Sequence, residues 1–431
     1  MFKILEKRYS VYTLYIVYLL TLSALYYSYL APMWSYMGFY WTPRFNNVLI
    51  SLFIFSFFLF ITPNSKDTRA LFCNLLFSIY VIPSLVLFSF RGFDLASALI
   101  VWLAILIVYV VSSVKVHAVQ LGEIRGTTLL AWLALGTAIS VIGFATFGGL
   151  TNFNLDLSRV YDFREEAADD MPALFAYIGS MVSKVLIPFG VVLALFYKRW
   201  VLVWFFFICS ILVFGMTSHK SVVAFALVAA AFFMFLRAGG NFGILLGGLV
   251  AASCASLISI YVGSGAEGDG FGSWFTSLFV RRSLMAPPLL DFFYLDFFSS
   301  SRLFYWSDSR LTLGLVSNPY GQSMPYVIGL LYFNDPTLGA NTGFIGSGFG
   351  QGGIFGTILY SILVGLVISF LNSSGERISP EIIFPGMLGI ILTMYSSADF
   401  VTTILNHGLL LAILIVSLMQ SKTSKNSRFE S

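Results

Sequence analysis

Long runs of uncharged, apolar residues set the fold class of this chain. A helix needs about 17–25 residues to cross a bilayer, and about twelve segments approach or reach that length with almost no charge. Charged residues make up 10% of the chain and hydrophobic residues 58%, so no stretch has the composition of a soluble domain. The sequence predicts one all-α polytopic membrane domain over residues 1–431, with about twelve transmembrane helices at residues 10–30, 46–61, 71–90, 95–113, 127–147, 175–197, 201–215, 221–236, 242–262, 353–371, 382–395 and 402–419.

Lysine and arginine are distributed unevenly among the loops that join these spans. With the N-terminus placed inside, the inner segments hold most of the 24 Lys and Arg residues, although the outer segments are longer in total. This density is typical of the positive-inside rule and predicts that both termini lie in the cytoplasm. The net charge of +4 is explained by this topology and indicates no nucleic-acid partner.

Two predicted outer loops, residues 148–174 and 263–352, carry the polar residues that the spans exclude. The first concentrates charge between Arg159 and Asp170. The second is too rich in aromatic residues to be a disordered linker, so we expect it to fold against the membrane. Its pattern predicts short interfacial or re-entrant helices at residues 273–284 and 289–298, separated by a break at Pro287-Pro288. These two loops are predicted to form the active site.

Three motifs follow one another along these loops. The first is Arg159-x-Tyr161-x-x-Arg164. The second is Arg281-Arg282-x4-Pro287 followed by Asp291-x-x-Tyr294-x-Asp296, and the third is Asn341-Thr342 ahead of a glycine series from Gly346 to Gly356. This order is similar to that of oligosaccharide repeat-unit polymerases, and the chain resembles the O-antigen polymerase (Wzy) family in overall topology and in the order of these motifs.

The resemblance implies a GT-C-like, inverting glycosyltransferase that uses neither a metal nor another cofactor. Such enzymes act at the outer face of the bacterial inner membrane. Their donor and acceptor are both undecaprenyl-diphosphate-linked oligosaccharides, and the growing chain moves from its lipid diphosphate onto the nonreducing end of a newly flipped repeat unit. The partners implied are the bilayer, this lipid-linked substrate and a chain-length regulator protein.

The residue types independently suit such a reaction. A departing diphosphate needs its charge stabilised, and the planar fork of arginine matches phosphate oxygens in a bidentate way. The predicted catalytic arginines are Arg159, Arg164, Arg281 and Arg282, which the positive-inside rule would otherwise keep off the outer side. The alternative is that these arginines anchor the loops at the interface or pair with nearby carboxylates.

A general base must accept the proton of the attacking hydroxyl group. Glu165 and Asp296 are the predicted catalytic carboxylates, while Glu166, Asp169, Asp170 and His219 stay open as alternatives for the base. The residues predicted to bind substrate are Tyr161, His219, Lys220, Tyr294 and Asn341.

Several residues outside these motifs also need an explanation. Lys184 lies within the sixth predicted span and must have a partner or face water. Asp399 and His407 lie near the outer ends of the last two spans, where they could line the same cavity. The glycine series lacks the context of a phosphate-binding loop, so close backbone approach at the mouth of a span is predicted there.

Three other functions stay open at this point. An O-antigen ligase would use the same donor with a lipid A core acceptor. A lipid-linked oligosaccharide flippase would be a transporter and would be expected to show repeated halves, which the sequence does not display. A polytopic transporter of another cargo is the third alternative.

Overall fold

The computed structural model describes residues 8–117, 120–151, 153–155, 172–262, 271–309 and 312–420. Within these residues the regular secondary structure is helical. The β-pairing there is an isolated bridge between Ile124 and Met419, which is not part of a sheet. The helices are α1 (Tyr9–Met33), α2 (Phe45–Ile61), α3 (Thr68–Phe90), α4 (Leu95–Ser113), α5 (Gly126–Gly149), α6 (Tyr177–Phe196), α7 (Trp200–Thr217), α8 (Ser221–Arg237), α9 (Phe242–Val262), α10 (Phe271–Thr276, continued in π-helical geometry over Ser277–Met285), α11 (Ala286–Phe298), α12 (Met324–Phe333), α13 (Phe344–Arg377), α14 (Pro380–Ser396), α15 (Phe400–Leu405) and α16 (Leu409–Leu418).

Eight of the described helices are long and apolar enough to cross a bilayer, namely α1, α3, α4, α5, α6, α7, α9 and α13. The chain is therefore an all-helical, multi-pass membrane protein. Three further predicted spans coincide with the shorter helices α2, α8 and α14. The predicted span at 402–419 is not a single helix, because α15 ends at Leu405 and Gly408 adopts a left-handed φ of 85° before α16 begins.

Four helices contain a π-helical stretch that ends two residues before a proline. These stretches are Tyr26–Leu30 before Pro32, Phe77–Val81 before Pro83, Val182–Leu186 before Pro188, and Ser277–Met285 before Pro287. Proline has no backbone N–H, and its ring clashes with the carbonyl group four residues earlier in an α-helix. The wider π turn accommodates both effects without ending the helix.

The break predicted at Pro287-Pro288 is therefore wrong. The residues at the junction, Met285 and Ala286, keep right-handed helical backbone angles, so α10 and α11 run on as one helical segment over residues 271–298. The two short helices predicted at 273–284 and 289–298 are parts of this segment.

The chain forms two compact units. Unit 1 contains the described residues of 1–114, 240–369 and 394–400, and unit 2 contains those of 115–239, 370–393 and 401–431. In unit 1, α1 packs along α9, and α2 packs along α3. Of the residues in the apolar window of α3, 94% are buried. In unit 2, α6 packs against α7 and α8.

Helix α13 reverses direction at Gly352 and Gly353. Gly353 has φ 61° and ψ −145°, a conformation that is essentially restricted to glycine. In a straight helix Gly348 and Gly356 would be about 12 Å apart. A Cβ atom at Gly356 would instead lie 2.1 Å from the carbonyl oxygen of Gly348. Residues 344–351 therefore fold back against the rest of α13 as a helical hairpin, and the close backbone approach predicted for the glycine series occurs between its two arms.

Candidate functional site

A pocket of about 200 Å³ lies in unit 1, beside the junction of α10 and α11. Apolar side chains form most of its wall, and the exceptions are the guanidinium of Arg281 and the amide of Asn341. The wall combines the segment after α1, the α10–α11 junction, the end of α12 and the segment before α13; its residues are Met37, Phe39, Arg281, Ala286, Leu289, Leu290, Phe333, Leu338, Gly339, Ala340 and Asn341. Two predicted site residues that are 60 positions apart in the sequence thus share one pocket.

Arg281 is held in a fixed orientation at this pocket. Only 7% of its surface is exposed, and its guanidinium carbon lies 3.8 Å from the centre of the Trp34 ring. Its Nε and Nη2 atoms donate to the Ser277 hydroxyl oxygen at 3.1 and 2.9 Å, and Nη1 lies 3.3 Å from the Met37 sulfur. A desolvated cation stacked on tryptophan gains about 2 kcal/mol. The side chain is therefore pre-organised, and a ligand does not have to order it on binding.

Tyr294 is hydrogen-bonded to a residue of the pocket wall. Its side chain is 1% exposed, and its hydroxyl group donates to the carbonyl oxygen of Ala340 at 2.9 Å. Burial raises the pKa of Tyr294 well above its ordinary value, so the hydroxyl stays protonated and remains a donor. The structure thus places Tyr294 where it positions the segment that carries Asn341.

Asp291 is a fully buried carboxyl group next to the same segment. Its Oδ1 atom accepts hydrogen bonds from the Thr342 hydroxyl group and, at 2.8 Å, from the backbone N–H of Gly346. Its Oδ2 atom has no hydrogen-bond partner among the described residues. Burial raises the pKa of Asp291 to about 7, although the hydrogen bonds from Thr342 and Gly346 act in the opposite direction. The carboxyl group therefore ties α11 to the start of α13, and it holds its proton to a higher pH than an exposed aspartate does.

Asp291 gives the protein a testable dependence of stability on pH. A carboxyl group whose pKa is raised on folding stabilises the folded state at low pH, and this contribution is lost as the pH rises from about 4 to about 7. We expect the melting temperature of the wild-type protein in detergent to fall over this range, because the free energy of unfolding decreases by up to about 4 kcal/mol. Asp291→Asn keeps the acceptor oxygen and does not titrate, so its melting temperature should fall less. Equal slopes for the two proteins would contradict this assignment.

A second polar cluster in unit 1 lies at the turn of the α13 hairpin. Trp306 Nε1 donates to the Tyr360 hydroxyl at 2.7 Å, and that hydroxyl donates to Asp399 Oδ2 at 2.9 Å. Gln351 accepts from the backbone N–H of Trp306 at 2.7 Å and donates to Asp308 at 3.1 Å. Asp399, which the sequence places near the outer end of its span, is thus hydrogen-bonded within this cluster.

The other predicted site residues lie away from the Arg281 pocket or outside the description. Arg282 and Asp296 are exposed, and Asp296 accepts a hydrogen bond from the Tyr332 hydroxyl. His219 and Lys220 belong to unit 2, just before α8. The remaining predicted residues, Arg159, Tyr161, Arg164 and Glu165, lie outside the described residues.

Four residues that contact Arg281 or adjoin the segment of Asn341 were not among the predicted site residues. The sequence could have identified Asp291, because it is an isolated carboxylate within the apolar run Leu-Leu-Asp-Phe-Phe. Thr342 was less conspicuous and is distinguished only as the neighbour of Asn341. Nothing in the sequence distinguishes Trp34 or Ser277, since an aromatic residue after a span and a serine in a loop are ordinary features of membrane proteins.

The site has no assembled metal centre in the part of the chain that is described, where no three His, Cys, Asp or Glu side chains are placed to hold an ion. Comparisons with protein-family models, curated proteins and solved structures find no match to this chain. The pocket residues and the order of the motifs are therefore the basis for a functional proposal.

Proposed function

We propose that the protein polymerises undecaprenyl-diphosphate-linked oligosaccharide repeat units at the outer face of the bacterial inner membrane. The observation that carries the proposal is the buried, pre-oriented guanidinium of Arg281 in an otherwise apolar pocket. A fixed cation in such surroundings suits an oxyanion, and the planar fork of arginine suits phosphate oxygens.

The chemistry assigned to this pocket is stabilisation of the leaving group. In glycosyl transfer, the bond between the anomeric carbon and the diphosphate oxygen breaks, and its electron pair stays on the diphosphate. The acceptor hydroxyl oxygen forms the new bond to the same carbon and gives its proton to a base, for which Asp296 and Glu165 are the candidates. A low-dielectric pocket strengthens the attraction between Arg281 and the developing charge.

The size of the pocket indicates which part of the substrate it receives. Pockets that enclose drug-sized ligands measure about 300–1,000 Å³, whereas this pocket measures about 200 Å³. It suits the diphosphate group, with the oligosaccharide and the polyprenyl chain held elsewhere. The apolar wall excludes water from the diphosphate, and the Asn341 amide adds a polar contact.

A gene deletion examined on a polysaccharide gel tests the proposed function. A strain that lacks a polymerase is expected to leave one repeat unit attached to the lipid A core. A strain that lacks a ligase or a flippase should leave none. Restoration of long chains by the intact gene is the required control, and a core without any repeat unit would reject the polymerase proposal.

The proposed topology is tested by cysteine labelling in cells. The distribution of Lys and Arg predicts that residues near Asp162 and Ser301 are accessible from outside. Residues near Lys115 and Ser374 should react only after permeabilisation. Cys73 and Cys209 are buried, so a Cys254→Ser background removes the native thiol that is partly exposed. Labelling near Lys115 in intact cells would reject this orientation.

A further inference from the structure

Two half-buried basic side chains of unit 2 lie on segments that pack against each other. Lys184 occupies the π-helical stretch Val182–Leu186 within α6. His407 lies in the short connection between α15 and α16, and the Lys184 charge acts electrostatically on its imidazole. Neither residue belongs to the pocket of Arg281, which is in unit 1.

The neighbouring glycine fixes this arrangement. A Cβ atom at Gly408 would lie 2.8 Å from Val185 Cγ2 and 3.3 Å from Met181 Cγ, so the connection packs directly on α6. Gly408 also has a left-handed φ of 85°, which L-residues rarely adopt. Met181 and Val185 flank Lys184 in the sequence, and His407 is therefore held beside the same part of α6.

The charge and the burial of this pair favour the binding of an anion. Among the described residues, neither Lys184 nor His407 has a carboxylate at ion-pairing distance. The buried Nδ1 atom of His407 has no hydrogen-bond partner there either. A lysine ammonium that is partly withdrawn from water destabilises the fold unless a negative group offsets its charge. An intramembrane ionisable residue of this kind normally marks a functional site.

We propose that Lys184 and His407 form an anion site that takes a phosphate or diphosphate group. The lysine ammonium supplies a compact positive charge, and the imidazole supplies an N–H donor from its protonated ring nitrogen. The group belongs either to a lipid-linked diphosphate or to inorganic diphosphate. This proposal requires only a phosphate-class anion and does not rest on the proposed polymerase activity.

Binding measurements on the full chain in lipid nanodiscs test the site. Inorganic diphosphate and farnesyl diphosphate are titrated by calorimetry into the Arg281→Gln variant, which removes the contribution of the other pocket. Further replacement of Lys184 by Gln should weaken binding about tenfold or more, as loss of a charged hydrogen bond does. His407→Gln should weaken it less. Lys115→Gln, an equal change of charge at an exposed position of unit 2, should leave binding unchanged.

The two probes separate the sources of the anion. Binding of both supports a site for the diphosphate group itself, and binding of farnesyl diphosphate alone supports a site for a lipid-linked headgroup. Binding of neither, or equal losses in the Lys184 and Lys115 variants, overturns the proposal. A lipid A core without any repeat unit in the deletion strain would reject the polymerase assignment and leave the Lys184 site standing.

Thermal stability provides an independent readout. Lys184→Met keeps the length of the side chain and removes its uncompensated charge, so the ligand-free protein should melt at the same or a higher temperature than the wild type. The rise in melting temperature that the bound probe produces should be lost in this variant. A lower melting temperature together with an unchanged probe-induced rise would show that Lys184 is purely structural.

Discussion

Replacing Arg281 by lysine is expected to reduce polymer formation about tenfold or more, and replacing it by alanine should reduce polymer formation further. Lysine keeps the positive charge and loses the planar fork that bonds to phosphate oxygens. It also loses the paired contacts with Ser277 and the stacking on Trp34 that orient the guanidinium. Loss of a charged hydrogen bond corresponds to about 1.5–3 kcal/mol, which is at least a tenfold effect on rate.

The measurement is the total polymer and the modal chain length in a deletion strain that expresses each variant at a matched protein level. Arg302→Lys makes the same change at an exposed position of the same predicted outer loop, and it should leave polymer formation near the wild-type level. Membrane insertion should be normal for both variants. Wild-type polymer from Arg281→Ala would exclude Arg281 from the reaction.

Replacing Gly356 by alanine is expected to destabilise the α13 hairpin by about 3 kcal/mol or more. The added methyl group would stand 2.1 Å from the carbonyl oxygen of Gly348, which is a backbone atom and cannot rotate away. The two arms would have to separate, and overpacking of this kind typically costs about 1–3 kcal/mol even when side chains are able to adjust. Because residues 344–346 also carry the bond to Asp291, polymer formation should fall as well.

Thermal melting of the purified variant in detergent measures this effect. Gly247→Ala is the matched control, because Gly247 lies within α9 and a Cβ atom there would have no neighbour within 4 Å. That variant should be as stable as the wild type or more stable by up to about 1 kcal/mol, as expected from helix propensity. Similar melting temperatures for the two variants would contradict the close packing of the hairpin arms.

The sequence predicted spans accurately where an apolar run has clear ends. The predicted bounds 95–113 and 242–262 coincide with helices α4 and α9, each of which has polar or glycine residues at its limits. The span at 402–419 was less well predicted, because hydropathy averages over a window and an interruption at Gly408 leaves that average nearly unchanged. The break at Pro287-Pro288 was predicted from the usual effect of proline on an α-helix, which the π turn before the proline accommodates.

The pocket was predictable only in part, for a different reason. The chemistry of arginine identified Arg281 as a candidate, the resemblance in motif order identified Asn341, and both residues line the pocket. The residues that orient Arg281 depend on which distant segments pack together. Met37 contacts Arg281 across 244 positions of the sequence, and no local periodicity encodes such a pairing.

The π-helical stretches make the pocket depend on the number of residues in a helix as well as on their identity. Relative to an α-helix, a π turn holds an extra residue, so these stretches resemble single-residue insertions that the following proline keeps in place. Deleting one residue between Ser277 and Val280 would rotate the preceding helix by about 100° relative to Arg281. In related chains, a change of length at this point would therefore redirect the guanidinium even if every residue of the pocket were the same.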